Sequence, residues 1–203
     1  MKPTAERILD AAEDLFARKG YTATSMGEVA SAVGIRSPSL YNHFRNKEAL
    51  YQAVLDRLLE KFLRPTRETY RQDDLTLDTI LDWQRELIKV HVENPNLARL
   101  LQHVALSGGP EARRFMENLY KPLTDIHDPE NYTELMPPKL RERPDLVPWV
   151  LMALNNLIMS YVTMAPLYQD MIGDQPFGEQ GAENQAYVLN ILTRALFNYS
   201  GED

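Results

Sequence analysis

"VGIRSPSLYNHFRNKEAL", Val33 to Leu50, decides how this chain is read. It opens on a glycine suited to a tight turn, Gly34, then gathers a proline, two serines, a tyrosine, an asparagine, a histidine and a phenylalanine in a few positions. Ser37-Pro38 marks a helix start, because serine is a good N-cap and proline is tolerated at the first helical position, where its missing N–H loses no partner. The helix has room for about two turns, Ser37 to Phe44, before Asn46, which reads as the cap of the next helix. Leu40 and Phe44, four apart, share one side and turn to a core. Arg36, Ser37 and Ser39 gather at the helix start, and Tyr41, Asn42, His43 and Lys47 complete a polar rim.

Working outward toward the N-terminus, Ser25-Met26-Gly27-Glu28 has the S-x-x-E pattern of a capping box, with Val29, Ala30 and Val33 as its apolar side. A short helix from Ser25 to Ala32, the turn Val33-Gly34-Ile35-Arg36 and the helix from Ser37 to Phe44 form the helix-turn-helix plan that sets one helix in the major groove of DNA. Ahead of them, Ile8, Leu9, Ala12, Leu15 and Phe16 recur at three- and four-residue spacing, which predicts a helix over Ala5 to Lys19 capped by Thr4 and stopped at Gly20.

Toward the C-terminus, Leu50, Val54, Leu58 and Phe62 recur in steps of four, predicting a fourth helix from Asn46 to Leu63 that fades at Arg64-Pro65. Amphipathic segments follow over 75–94, stopped by Pro95, and over 96–109, closed by Gly108-Gly109. A further helical stretch, 110–123, precedes a loop holding Pro129, Pro137, Pro138 and Pro144. The last two long segments, 146–168 and 182–199, are the most apolar. Asn155, Asn156 and Ser160 interrupt the first, so it reads as a buried or interface helix and not a membrane span. No stretch alternates polar and apolar residues as a strand would. The fold class is all-α.

Composition fits this reading. The 203 residues carry a formal net charge of −7, yet residues 1–47 hold seven Lys/Arg against five acids, a net of +2, which leaves −9 for residues 48–203. A mildly basic head on an acidic body suits a phosphate-facing end, since phosphate binding needs local positive charge. The absence of cysteine rules out disulfides, cysteine-ligated zinc and a thiol nucleophile, and fits a reducing compartment. "MKPTAERILDAAEDLF" scatters charges among its apolar residues and reads as neither signal peptide nor membrane span, so a cytoplasmic protein is expected.

The stretch from Ile8 to Leu55 resembles the N-terminal domain of the TetR (tetracycline repressor-like) family of transcriptional regulators. The match is carried by Ile8, Ala11, Phe16, Gly20 and Tyr21; by Thr24, Glu28, Val29 and Ala30; by Gly34 and Ile35; and by Leu40-Tyr41-x-His43-Phe44-x-x-Lys47-Glu48-Ala49-Leu50. It covers about the first quarter of the chain. The resemblance implies a helix-turn-helix DNA-binding domain over 1–47 joined to a helical ligand-binding and dimerisation domain over 48–203. It implies that Thr24, Tyr41 and Lys47 hold phosphates while Arg36, Ser37, Pro38, Ser39, Asn42 and His43 face the groove. It further implies a homodimer through 146–168 and 182–199, a palindromic operator in double-stranded DNA, repression, and release by a small molecule. Many members begin the recognition helix with a glycine-containing run where this chain has Ser37-Pro38-Ser39, so operator preference is set here by different side chains. Taken singly, these residues also have ordinary readings: Ser37 as a cap, Pro38 as a helix starter, Tyr41 as a half-buried aromatic, His43 as a solvated histidine.

In the body, Trp83, His103, Tyr120, Trp149, Asn155, Met159, Tyr161 and Met164 combine apolar bulk with a few polar anchors, as a largely apolar effector cavity would, though aromatic and methionine residues at helical spacing also read as plain core. No nucleophile elbow, H-E-x-x-H pair, Walker motif or dinucleotide-binding glycine run is present, so neither an enzyme nor a cofactor or metal is expected. A helical binding module whose head docks a protein is the alternative to DNA binding, and the two differ in salt dependence.

Overall fold

The computed structural model describes residues 2–70, 76–108, 113, 114, 117, 138–173 and 180–198, and among these every regular element is helical. The elements are α1 (Thr4–Ala23), α2 (Met26–Val33), α3 (Ser37–Tyr41), α4 (Lys47–Tyr70), α5 (Leu77–Glu93), α6 (Pro95–Ser107), α7 (Pro138–Glu142), a 3-10 turn at Pro144–Leu146, α8 (Val147–Ile172) and α9 (Gly181–Asn198). The chain folds as two compact units, Met1–Lys61 with Pro95–Leu119, and Phe62–Asn94 with Tyr120–Asp203. The sequence reading sets its boundary between residues 47 and 48. The compact units divide elsewhere, because the first turns of α4 and the whole of α6 complete the core around α1.

In the first unit the helical spacing of apolar residues becomes the core: Ile8, Ala12 and Phe16 of α1 meet Val29 of α2, Leu40 of α3 and Leu50, Val54, Leu55 and Leu58 of α4, all fully or almost fully buried. Each large side chain among them contributes about 1.5–3 kcal/mol by leaving water. Leu9 and Leu15, on the margin of the α1 stripe, are half-buried. Arg57 fastens α4 to α1 by reaching Asp10 at 2.8 Å and Glu13 at 2.5 Å. Arg7 secures the end of α2 by donating to the Val33 carbonyl at 2.6 Å.

In the second unit α5 packs on α8 and α9. Leu81, Leu87 and Ile88 are buried there, and Gln84 and Thr193 exchange two hydrogen bonds, amide N to hydroxyl at 2.9 Å and hydroxyl to amide O at 3.1 Å.

Several local expectations are corrected. Thr4 lies inside α1 and Pro3 takes the N-cap position without a side-chain bond. Gly20 does interrupt α1, with φ 77°, but one more turn, Tyr21 to Ala23, follows the kink. The cap of α3 is Arg36, not Ser37, and the helix has five residues; Asn42 and His43 follow as a turn rather than as helix, although the N–H of Phe44 beyond it still bonds the Leu40 carbonyl at 3.0 Å. Helix α4 runs past Pro65 to Tyr70. Proline removes one backbone bond there, yet Pro65 and Thr66 are buried and Trp83 Nε1 donates to Thr66 Oγ1 at 3.0 Å, so tertiary packing carries the helix across the gap. Pro138 opens a short helix and Pro144 a 3-10 turn inside the expected loop. Pro129, Pro137 and most of the helical stretch expected over 110–123 lie outside the described residues.

Candidate nucleic-acid interface

The turn that aims α3 is built by Gly34. At φ 73° and ψ 34° it takes the left-handed conformation that ends α2, its N–H turning back to the Ala30 and Ser31 carbonyls, and Ile35 N–H bonds Ala30 O at 3.0 Å. At the other end of α2 the capping box forms: Glu28 N–H donates to Ser25 Oγ at 3.2 Å and Ser25 N–H to the Glu28 carboxylate at 2.8 Å. Lys19 reaches the same carboxylate at 2.7 Å. The Lys19 bond and then the two Ser25 bonds hold the Glu28 pKa down to about 2, so the brace stays charged.

With α2 fixed at both ends, α3 turns Leu40 fully inward and half-buries Phe44, while Arg36, Ser37, Pro38, Tyr41, Asn42 and His43 face outward and Ser39 is half-buried. Tyr41 is 49 % exposed. No Asp or Glu stands between Glu28 and Glu48, whereas Arg36, Arg45 and Lys47 do. Elsewhere in residues 2–57 the cations are engaged: Lys2 with Asp10, Arg18 with Asp14, Lys19 with Glu28, Arg57 with Asp10 and Glu13, and Arg7 with a carbonyl. Arg36 and Arg45, one before α3 and one after it, are exposed and have no ion-pair partner among the described residues. Arg45 is the residue the sequence reading missed. Its signal was the acid-free interval around it, not a motif.

Lys47 is held by neutral groups, its Nζ 4.4 Å above the Tyr21 ring and 3.1 Å from the Thr22 carbonyl, so its charge is oriented without being cancelled by a carboxylate. Thr24 differs from the expectation of a surface phosphate donor. It is 2 % exposed, and its hydroxyl donates to the Gly20 carbonyl at 2.9 Å and lies 3.3 Å from that of Leu15, which makes the side chain a brace across the α1 kink.

The residues expected to line an effector cavity fall in separate places. His103 belongs to the first unit, where its Nε2–H donates to the Ala17 carbonyl at 3.2 Å. Trp83 leans on Thr66. Trp149 is 65 % exposed, Asn155 and Met159 are half-buried, and Tyr120 lies outside the described residues. Only Tyr161 and Met164 share a site, a groove of about 430 Å3 between α8 and α9 lined also by Leu157, Val188 and Leu189. Burial there raises the Tyr161 pKa above its ordinary value. Among the described residues no group of three or more His, Asp or Glu could hold a metal ion, and no helix is long and apolar enough to cross a membrane.

Comparison with known proteins places this geometry. Residues 8–54 match the family described as bacterial regulatory proteins, tetR family. The chain is 34% identical over 103 residues to the HTH-type transcriptional regulator RutR of Escherichia coli (strain K12), an overlap of 51% of this chain and 48% of RutR. It is 48% identical over 57 residues to the HTH-type transcriptional repressor ComR of the same organism, covering 28% of this chain and 27% of ComR. The chain thus spans about half the length, or less, of these curated relatives. Its fold superposes with a TM-score of 0.67 on a TetR family transcription regulator from Marinobacter aquaeolei VT8, 18% identical, covering 95% of this chain and 94% of that one. The matched segment spans α1 from Ile8, the helix-turn-helix pair and the start of α4, so the likeness to the tetR family of bacterial regulatory proteins is carried by residues 8–54.

Proposed function

We propose that this protein is a cytoplasmic DNA-binding transcriptional repressor that occupies a palindromic operator as a homodimer and leaves it when a small, largely apolar ligand binds its body. The observation that carries the DNA reading is the outward face of α3: Tyr41, Asn42 and His43 beside Ser37 and Pro38, flanked by Arg36 and Arg45, which have no ion-pair partner among the described residues, in an interval without a carboxylate. Ser, Asn and Tyr hydrogen-bond phosphates and base edges, Pro38 offers an apolar surface to a thymine methyl, and Arg supplies charge. The repressor named among the relatives supports the sign of regulation.

Dimerisation through 146–168 and 182–199 is supported by the apolar side chains that α8 and α9 leave in water, Trp149, Leu167, Met171, Tyr187, Val188 and Ile191 among them. Such a surface is costly unless covered. One head of modest charge binds weakly, and two heads on one dimer add their contacts when the half-sites lie about one helical turn, or a multiple of it, apart. A ligand releases the dimer only if it prefers the conformation in which the recognition helices no longer match successive grooves.

Selection of bound fragments from genomic DNA, followed by anisotropy titration at several salt concentrations, tests this. Enrichment of a palindrome and an affinity that falls steeply with salt, the slope being about −0.9 per phosphate contacted, are expected. A salt-insensitive interaction with no enriched sequence would instead mark a head that docks a protein.

A further inference from the structure

The end of α1, the first turns of α4 and the last turns of α6 enclose a cleft of about 340 Å3 that lies wholly within the first compact unit and shares no residue with the α8–α9 groove. One wall is aromatic. Tyr21 and Tyr51 stand with their ring centroids 4.8 Å apart, and Phe16 backs Tyr51 edge-on at 4.9 Å. Two other lining groups are hydrogen-bond acceptors. The Glu48 carboxylate has no hydrogen-bond or ion-pair partner among the described residues. His103 is fixed by its bond to Ala17: a carbonyl only accepts, so Nε2 carries the proton and Nδ1 of the neutral ring is left as a lone pair. Nδ1 lies beside Gly20, where a Cβ would come within 3.6 Å of it. The glycine that kinks α1 at φ 77° therefore also keeps this acceptor uncovered.

We propose that this cleft is a binding site for a flat aromatic molecule carrying an amino or amidino group, its ring against Tyr21 and Tyr51 and its donors turned to Glu48 and His103 Nδ1. The volume sits at the small end of ligand pockets and suits one or two rings. Glu48 and His103 Nδ1 accept, so a ligand that meets both must donate; a positive charge is favoured further by the carboxylate and by the Tyr51 ring, Lys47 already standing over Tyr21. Lys19 does not oppose it strongly, being paired with Glu28. Because Tyr21 and Thr22 line the cleft and also hold Lys47, an occupant disturbs the orientation of that lysine and weakens DNA binding. This coupling rests on the DNA reading above; the binding does not.

Benzamidine serves as the probe, titrated calorimetrically into the full chain without DNA, with benzoate as the same ring bearing an acceptor. Benzamidine should saturate one site per chain with Kd on the order of 1 mM, as its size sets, and benzoate should not bind. Glu48→Gln should weaken benzamidine at least about fivefold by removing the charge, and Ser107→Trp, which fills the cleft, should abolish binding. Melting curves check that both variants fold. The α8–α9 groove variant Met164→Trp should bind as the wild type does. Absence of saturable binding, equal binding of benzoate, or unchanged binding in Glu48→Gln and Ser107→Trp would overturn the site. In a separate titration benzamidine should lower the affinity of the wild-type protein for DNA and leave that of Ser107→Trp unaltered. DNA affinity unmoved by saturating benzamidine would overturn the coupling.

Discussion

Lys47, the first residue of α4, stands 4.4 Å over the Tyr21 ring with its Nζ donating to the Thr22 carbonyl at 3.1 Å. A π face and a carbonyl orient an ammonium group without neutralising it, and the third hydrogen of Nζ stays available to a phosphate oxygen. Lys47→Ala should therefore weaken binding to specific and unrelated DNA alike and reduce the salt slope by about 0.9 per half-site. Arg45→Ala should act in the same way. Anisotropy titrations on two unrelated duplexes over a range of salt check both, and a slope that stays at the wild-type value would remove the lysine from the interface.

Arg36 and Asn42 belong to the other class of contact. They flank α3 at its entry and exit, are exposed, and make no side-chain bond among the described residues. Replacing Asn42 by Ala, or Arg36 by Ala, should relax discrimination at particular operator positions by about 1–3 kcal/mol each while leaving affinity for unrelated DNA nearly unaltered in the case of Asn42. Competition between operator and single-base variants measures the effect. Equal losses on every sequence would reassign Asn42 to the phosphate backbone.

Thr24 should separate stability from recognition. Its buried hydroxyl joins the two sides of the α1 kink, so Thr24→Val keeps the volume and strands the Gly20 carbonyl. A loss of about 1–2 kcal/mol in denaturant unfolding is expected, with the salt slope of DNA binding unchanged. A changed slope with unchanged stability would restore the threonine to the phosphate contacts.

The head was largely readable from residue chemistry because its signals are local. The Ser25–Glu28 capping box, the left-handed Gly34 and the Asn46 cap, which accepts from Ala49 N–H at 2.8 Å, each act within three or four residues. Pro65 misled for the opposite reason: its penalty is local, whereas the burial of Thr66 and the bond from Trp83 that outweigh it come from a residue 17 positions away. Gln84 and Thr193 are 109 residues apart and carry no motif, so nothing in the sequence pairs them. The scatter of the expected cavity residues has the same origin. Helical spacing shows that His103, Trp83 and Trp149 lie on helix faces, and only tertiary packing decides which faces meet.

The Gln84–Thr193 pair should behave as a unit. Gln84→Leu alone leaves a buried hydroxyl without its partner, and Thr193→Val alone leaves a buried amide, each costing about 1–3 kcal/mol. The double replacement removes both orphaned groups and should cost less than the sum of the two. Denaturant unfolding of the four proteins gives the coupling, and strictly additive losses would show that the two bonds contribute nothing together.

His91 should give the second unit a pH dependence of its own. It is 0 % exposed on α5, its Nδ1 lies 2.8 Å from the Leu87 carbonyl and so carries the proton, and Phe62 meets its ring edge-on at 5.6 Å. Nε2 has no hydrogen-bond partner among the described residues. Burial therefore pushes the pKa below the ordinary 6.5, the bond to Leu87 opposing it only in part. Between that depressed value and 6.5 the unfolded chain binds a proton that the folded chain refuses, so stability is complete above 6.5 and declines as pH falls through it. The Glu28 brace titrates lower, between 4.5 and about 2, and does not enter this window. His91→Phe removes the linkage while the other three histidines stay in place, so the difference in unfolding free energy between the two proteins isolates it. The wild type should lose stability relative to His91→Phe on acidification from about pH 7 to pH 5; parallel curves over that interval would mean that His91 takes up its proton as readily folded as unfolded.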